Sequence, residues 1–348
     1  MTLTGPLWRF ADLAFNAASA FLSISISLNA MSLHATCTQV FVVVALIVCF
    51  GLASIQTLDR VSYIGWIGLT AIISAVLTLA ISVGVENRPS AAPQSGPWDK
   101  DLLIVAQPTF VAAMNAVGTL VFAFGCAPAY FNVAAEMRDS SLFVRSATVA
   151  QVIITCLYTA LGIVVYYYCG QYVASPVLGS AGVLMKRICY GIALPGLLTS
   201  GLLFTHMPAK YCFVRLLRGS HHLSRNTPTH WAAWLGSVAF TAVLAYVIAS
   251  AIPFFDDLIS LIGAIFGTFF CFCLEGGMYL TLIWPAYKDR ALRTRWFWFT
   301  VVANAFLILL GAFIIVAGTY ASVVEINDSF IAGTVGSSFS CQDNSAST

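Results

Sequence analysis

Nine times between residues 13 and 316 the chain enters an apolar run close to the thickness of a bilayer: 13–33, 36–55, 64–85, 110–131, 147–169, 188–203, 231–252, 258–284 and 296–316. A helix needs about 20 such residues to cross the roughly 30 Å hydrocarbon layer. Lipid offers backbone amides no partner, so segments of this kind must form helices that bond within themselves. The run 188–203 is short and is expected to extend towards Lys210. A membrane β-barrel would show short segments of alternating polarity instead, and none is seen. Only 9% of residues are charged and 59% are hydrophobic, against about 25% charged in soluble domains. The expected fold class is an all-α polytopic membrane protein with nine transmembrane helices, forming a single domain over residues 1–348.

Basic residues near span ends set orientation, because they stay on the cytoplasmic side. With the N-terminus inside, Arg9, Arg60, Arg138, Arg145, Lys210, Arg215, Arg218, Arg225, Lys288, Arg290, Arg293 and Arg295 fall inside. Arg88, Lys100, Lys186 and Arg187 fall outside, so 12 of the 16 Lys and Arg are inside. That places loop 86–107 outside, the basic loop 215–230 inside and a polar tail, 321–348, outside. Asn327-Asp328-Ser329 in that tail is a glycosylation sequon on the side where Asn327 can be modified, with a chance match as the alternative. Arg9 before an apolar run imitates a signal peptide, but the polar residues of that run point to a retained span. The membrane is a plasma or a vacuolar one.

The ten cysteines lie mostly within spans, and the neighbours Cys271 and Cys273 would point apart on a helix, so neither a disulfide framework nor a zinc site is expected. His221, His222 and His230 have no carboxylates nearby and read as solvated.

Few residues could carry chemistry inside the spans. Asn16, Ser19, Ser23 and Ser27 recur at three, four and four residues and share one helical face. That face serves either close helix packing or the wall of a polar cavity. In FAFGCAPAY, residues 122–130, Pro128 removes a backbone donor near Phe124 and Gly125 admits angles closed to other residues. The fourth span therefore either kinks or breaks. A break would present free carbonyls and free amides at mid-membrane, which suits the two charges of an amino acid. Glu136, with Arg138 and Asp139, belongs at the inside mouth, as a helix-end ion pair or a gate. Glu275 is an acidic residue well within a span, and such residues default to a coupling role, with a structural, hydrogen-bonded Glu as the alternative. Asp256 and Asp257 are expected to cap the eighth span, and His206 to be structural.

Four strings together resemble one family: GTLVFAFGCAPAYFNVAAEMRD (118–139), VASPVLGSAGVLMKRICYGIALPGLL (173–198), HMPAKYCFVRLLRGSHHL (206–223) and IPFFDDLISLIGAIFG (252–267). They look like the amino acid/auxin permease family, its fungal branch in particular. The resemblance implies a secondary transporter of eleven helices, built from two inverted five-helix repeats and a last helix outside them. It implies transport of amino acids or related solutes, often with protons. In that scheme the fourth span opens the second repeat and is broken at Gly125–Pro128, so backbone from Phe124 through Gly125, Cys126, Ala127 and Pro128 would bind substrate, while Asn16, Ser19 and Ser23 line the cavity. Glu136 would act at the gate and Glu275 in coupling. Aligned by these strings, the chain begins just before the family's third helix, an inverted-repeat fold with N-terminal truncation. Cys126-Ala127 stands where many members have Gly-His, and Ser140 where Pro commonly follows.

The expected function is a secondary active transporter of amino acids or related nitrogenous solutes, coupled to protons, needing a lipid bilayer and neither a cofactor nor a nucleic acid. The alternatives are movement of a fungal secondary metabolite and a shortened membrane protein without transport. Ionisable groups in the spans are too few and too scattered for an enzyme.

Overall fold

The computed structural model describes residues 4–56, 61–86, 88–125, 130, 134, 137–223, 225–286, 294–332 and 337–345. Among them every regular element is helical. The helices are α1 (Thr4–Ser32), α2 (Thr38–Ala53), α3 (Val61–Val85), α4 (Phe110–Phe124), α5 (Phe143–Cys169), α6 (Val183–Leu216), α7 (Pro228–Ala251), α8 (Phe255–Ile262), α9 (Glu275–Ala286) and α10 (Arg295–Ala332). Two π-helical stretches, Gly263–Gly267 and Phe269–Leu274, join α8 to α9 in one continuous rod. Seven of the resulting segments are long and apolar enough to cross a membrane, while Thr38–Ala53 and Phe110–Phe124 are shorter apolar helices. The nine apolar runs of the sequence thus become nine helical segments. The short sixth run does extend, to Leu216, carrying Pro195 and Pro208 within it.

The chain divides into two compact units, one of residues 1–106, 150–255 and 332–348, the other of 107–149 and 256–331. In the first unit α1 is the central helix, packed on α2, α6 and α7. Apolar residues are buried all round it, from Ala14 and Ala18 to Phe21, Leu22 and Ile26, as expected of a helix with no lipid face. Small residues bring the neighbours close. A Cβ on Gly196 of α6 would lie 2.4 Å from Ile72 of α3, and one on Gly201 would lie 2.6 Å from Cys49 of α2. His206 is 1% exposed, with Nδ1 3.1 Å from the Ala53 carbonyl and its ring edge-on to Trp234. The second unit joins α4, the α8–α9 rod and α10, with Met114 buried against Ile314, Ala317 and Ala321.

The cysteines require a correction. Cys37, just before α2, and Cys341, in the tail, form a disulfide with S–S 2.06 Å across 304 residues of sequence. Cys37 stands at the edge of the run 36–55 and just outside α2, and Cys341 lies in the tail, so the pair shows no spacing signal. The tail lies along the first unit beside this bond. Phe339 donates its amide to the Ser250 carbonyl (2.9 Å), Asn29 donates to Asn344 Oδ1 (2.7 Å), and Thr38 donates to the Gln342 carbonyl. At the same end Glu86 accepts the Gly182 amide with both oxygens (2.9 and 2.7 Å), capping α6. The segments gathered here are ones that the basic-residue count assigns to the outside.

The histidines of loop 215–230 also differ from expectation. His222 and His230 are half-buried, with His230 Nδ1 2.9 Å from the His222 carbonyl and His222 Nδ1 2.9 Å from Thr227 Oγ1. Mutual bonding within a short loop, rather than solvation, fixes them. Among the described residues no group of His, Cys, Asp or Glu has the makings of a metal site.

Peptide mapping without reductant is expected to recover Cys37 linked to Cys341, with Cys49, Cys169 and Cys189 as thiols. Removing the bond should lower stability by about 2–4 kcal/mol, read as a lower unfolding midpoint in detergent; a single-thiol map at either position would contradict the pairing.

Candidate transport site

The fourth apolar run does not continue as one helix. Thr109 caps α4, its hydroxyl accepting the Ala112 amide at 3.3 Å. The helix then stops at Phe124 after 15 residues, about 22 Å at 1.5 Å per residue and short of the hydrocarbon thickness. Gly125 leaves the helical region (φ −73°, ψ 48°) and turns its amide back onto the Phe122 carbonyl at 3.1 Å. The helix therefore ends inside an apolar run, with the negative end of its dipole at Phe124. A Cβ at residue 125 would stand 3.0 Å from the Val121 carbonyl and 3.3 Å from that of Phe122, so a larger residue there would crowd both oxygens. Cys126, Ala127, Pro128 and Glu136 lie outside the described residues.

Glycines also set where α4 lies. A Cβ on Gly263 would come within 1.9 Å of the Gly118 carbonyl, and one on Gly118 within 2.7 Å of the Ser260 carbonyl. Backbone therefore meets backbone between α4 and the α8–α9 rod. Above this seam Asn115 Oδ1 accepts from Ser260 and from Ser322 of α10 (3.2 Å), and the two serine hydroxyls are 2.9 Å apart. Asp257, 5% exposed, accepts from Ser329 of α10 at 3.0 Å. Asp256 and Asp257 thus sit in the first turn of α8 rather than before it, and Asp257 ties α8 to α10 instead of closing its own helix end. Neither this cluster nor its Asn115 was singled out in the sequence, because lone polar residues in three distant spans show no spacing.

In the first unit the α1 stripe is only partly open. Ser19 and Ser27 are buried, while Asn16 and Ser23 are partly exposed. Asn16 donates to the Asp12 carboxylate (3.0 Å) and carbonyl (2.8 Å), Ser19 to the Asn16 carbonyl (2.9 Å), Ser23 to that of Ser19 (2.8 Å), and Ser27 to Tyr190 of α6 (3.2 Å). Asp12, 5% exposed, extends the stripe by one turn. A span counted from residue 13 omits it, though its i, i+4 spacing from Asn16 was there to be read.

Glu275 begins α9 at the end of the π-helical stretch, is exposed, and lines a cavity of about 760 Å³ in the second unit with Tyr130, Phe143, Met278 and Leu282. Irregular helix of this kind recurs at functional sites. Asp139 caps the turn that follows the expected gate. The Ser141 hydroxyl (2.7 Å) and amide (3.0 Å) hold its carboxyl below the ordinary carboxylate range. Asn327 is exposed on α10, and the hydroxyl of Ser329 in its sequon is the donor to Asp257.

Residues 15–324 match the family described as transmembrane amino acid transporter protein. The chain belongs to this family. Its relatives include a transmembrane transporter of Gibberella moniliformis, 34% identical over 334 residues, covering 94% of this chain and 68% of that protein. A transmembrane transporter of Fusarium pseudograminearum is 33% identical over 330 residues, with the same coverage. The N amino acid transport system protein of Neurospora crassa is 33% identical over 313 residues, covering 88% of this chain and 64% of that protein. No solved structure matches. The chain is therefore a multi-pass membrane protein of a transporter family, as its strings suggested, and it spans about two thirds of the length of these relatives.

Asn115→Leu should leave two buried hydroxyls without their shared acceptor, at about 1–3 kcal/mol per unsatisfied group. The expected result is a lower thermal unfolding midpoint in detergent, with Ser322→Ala falling less; an unchanged midpoint in Asn115→Leu would show that the cluster does not hold α4 in place.

Proposed function

We propose that this chain acts as a secondary active transporter of amino acids or related small nitrogenous solutes, driven by protons. The observation that carries the reading is the end of α4 at Phe124 and Gly125 inside an apolar run. A helix end at this depth favours an ionic group of the solute, an ammonium at the carbonyl end. The continuation through Cys126, Ala127 and Pro128 would supply amides for the carboxylate. Family membership and the printed name of the Neurospora relative support amino acids as the solute class.

The remaining roles follow from which polar groups are open. Asn16 and Ser23 are partly exposed on α1 and would line the solute path together with the buried Ser19. Glu275 lines a cavity, where it would exchange a proton and serve in coupling. Glu136 would act at the inside gate.

Gly125→Leu, reconstituted in liposomes, should lose at least tenfold of labelled neutral amino acid uptake while keeping normal membrane insertion, and Gly125→Ala should lose less. Uptake at the unaltered rate in Gly125→Leu would sink the assignment. An imposed pH gradient should accelerate uptake. Glu275→Gln should abolish that acceleration and leave solute exchange without a gradient; persistence of the acceleration would remove Glu275 from coupling.

A further inference from the structure

Lys186 stands in the first turn of α6 and is 6% exposed. An ammonium taken out of water is costly unless it is paired. Here the groups facing it come from the tail: Lys186 Nζ donates to the Ser345 carbonyl, and the Asp343 carboxylate is the charge that bears on it. Asp343 is in turn fixed by Ser345, whose amide (2.8 Å) and hydroxyl (2.7 Å) both donate to Oδ1. Between the tail and the helices lies a cavity of about 260 Å³, walled by Ser90, Ser175, Lys186 and Tyr190 on one side and by Asp343 and Asn344 on the other. Pockets for drug-sized ligands run from about 300 to 1,000 Å³, so this one suits a small solute.

Three features distinguish this arrangement from an ordinary folded tail. The cation is buried in the unit's own helices, whereas its anionic counterpart is carried on a tail segment that a disulfide and hydrogen bonds at Asn29, Thr38 and Ser250 hold against them. The tail presents to Lys186 a carboxylate and a carbonyl oxygen, the oxygen chemistry of an amino acid's acid end. The Cys37–Cys341 bond lies two residues before Asp343. Tethering at that distance gives the tail carboxylate a high effective concentration, of order millimolar for a short flexible link, against which a free solute must compete.

We propose that the Lys186 cavity is a carboxylate-recognising site for a small amino acid approaching from outside, and that residues 343–345 occupy it in cis as a pseudo-ligand held by the disulfide. The inference rests on amino acids being the solute class. Lys186 supplies a point charge for the carboxylate, and the hydroxyl-bearing walls at Ser90, Ser175 and Tyr190 surround the rest of the solute. The closed tail sets a threshold: solute enters only by displacing Asp343.

The test is equilibrium binding of labelled alanine to the full chain in detergent. A released variant, Cys37→Ser with Cys341→Ser and Asp343→Ala, should bind alanine at least tenfold more tightly than the unaltered chain, and propionate should compete where methylamine does not. Adding Lys186→Met should return binding to the unaltered level, while Lys186→Arg should retain most of the gain and guards against a folding defect. Binding no tighter in the released variant, or a gain that survives Lys186→Met in folded protein, overturns the proposal. If liposomes show no amino acid flux but the Lys186-dependent, propionate-sensitive binding persists, the transport reading fails and this site stands. If flux is intact and Lys186 has no influence on binding, the site fails and transport stands.

Discussion

A backbone amide in lipid must find its partner inside the protein, and most of this architecture follows from that constraint. It turns nine apolar runs into helices and makes any interruption conspicuous. The interruption after Phe124 sits where backbone can be shielded by other backbone. Gly118 and Gly263 bring α4 against the rod of α8 and α9 so closely that no side chain fits between them. The rod in turn relaxes into π-helical turns beside that seam, where Thr268 returns its hydroxyl to the Gly263 carbonyl at 2.9 Å. Strain-free contact between α4 and the rod therefore depends on two residues that have no side chains at all.

Polar groups within the spans divide into two kinds. Asn115, Ser260 and Ser322 are buried and satisfy one another, which fixes three helices in register but leaves nothing to offer a solute. Asn16 and Ser23 are partly exposed and Glu275 is exposed. The same residue types thus occur buried in one place and exposed in another. That is why the α1 stripe could be read from its spacing while its division between packing and lining could not.

The sequence made the helices legible because bilayer thickness imposes a length that composition alone reveals. It also marked where α4 ends, since Gly125, singled out for its freedom of angle, is the residue that leaves the helical region. Contacts between distant segments were hidden. Cys37 and Cys341 carry no spacing signal across 304 residues, and Glu86 gives no hint that it caps a helix beginning almost a hundred positions later. Asp12 was missed for a simpler reason: an apolar window excludes a carboxylate at its edge, although α1 runs on through Asp12 to Thr4. The far end of α10 was likewise obscured, because Glu325 and Asp328 look like tail residues until Asp257 is found bonded to Ser329 beside them.

The disulfide has a consequence for how the protein is made. Its two sulfurs lie in the turn between α1 and α2 and in the segment after α10. A ribosome-bound chain presents Cys37 long before Cys341, and that thiol has no native partner until α10 has been made. Throughout synthesis Cys37 is thus open to mispairing with any other thiol in the same compartment. Closure of the native bond therefore marks a chain in which every helix between the two cysteines has been made.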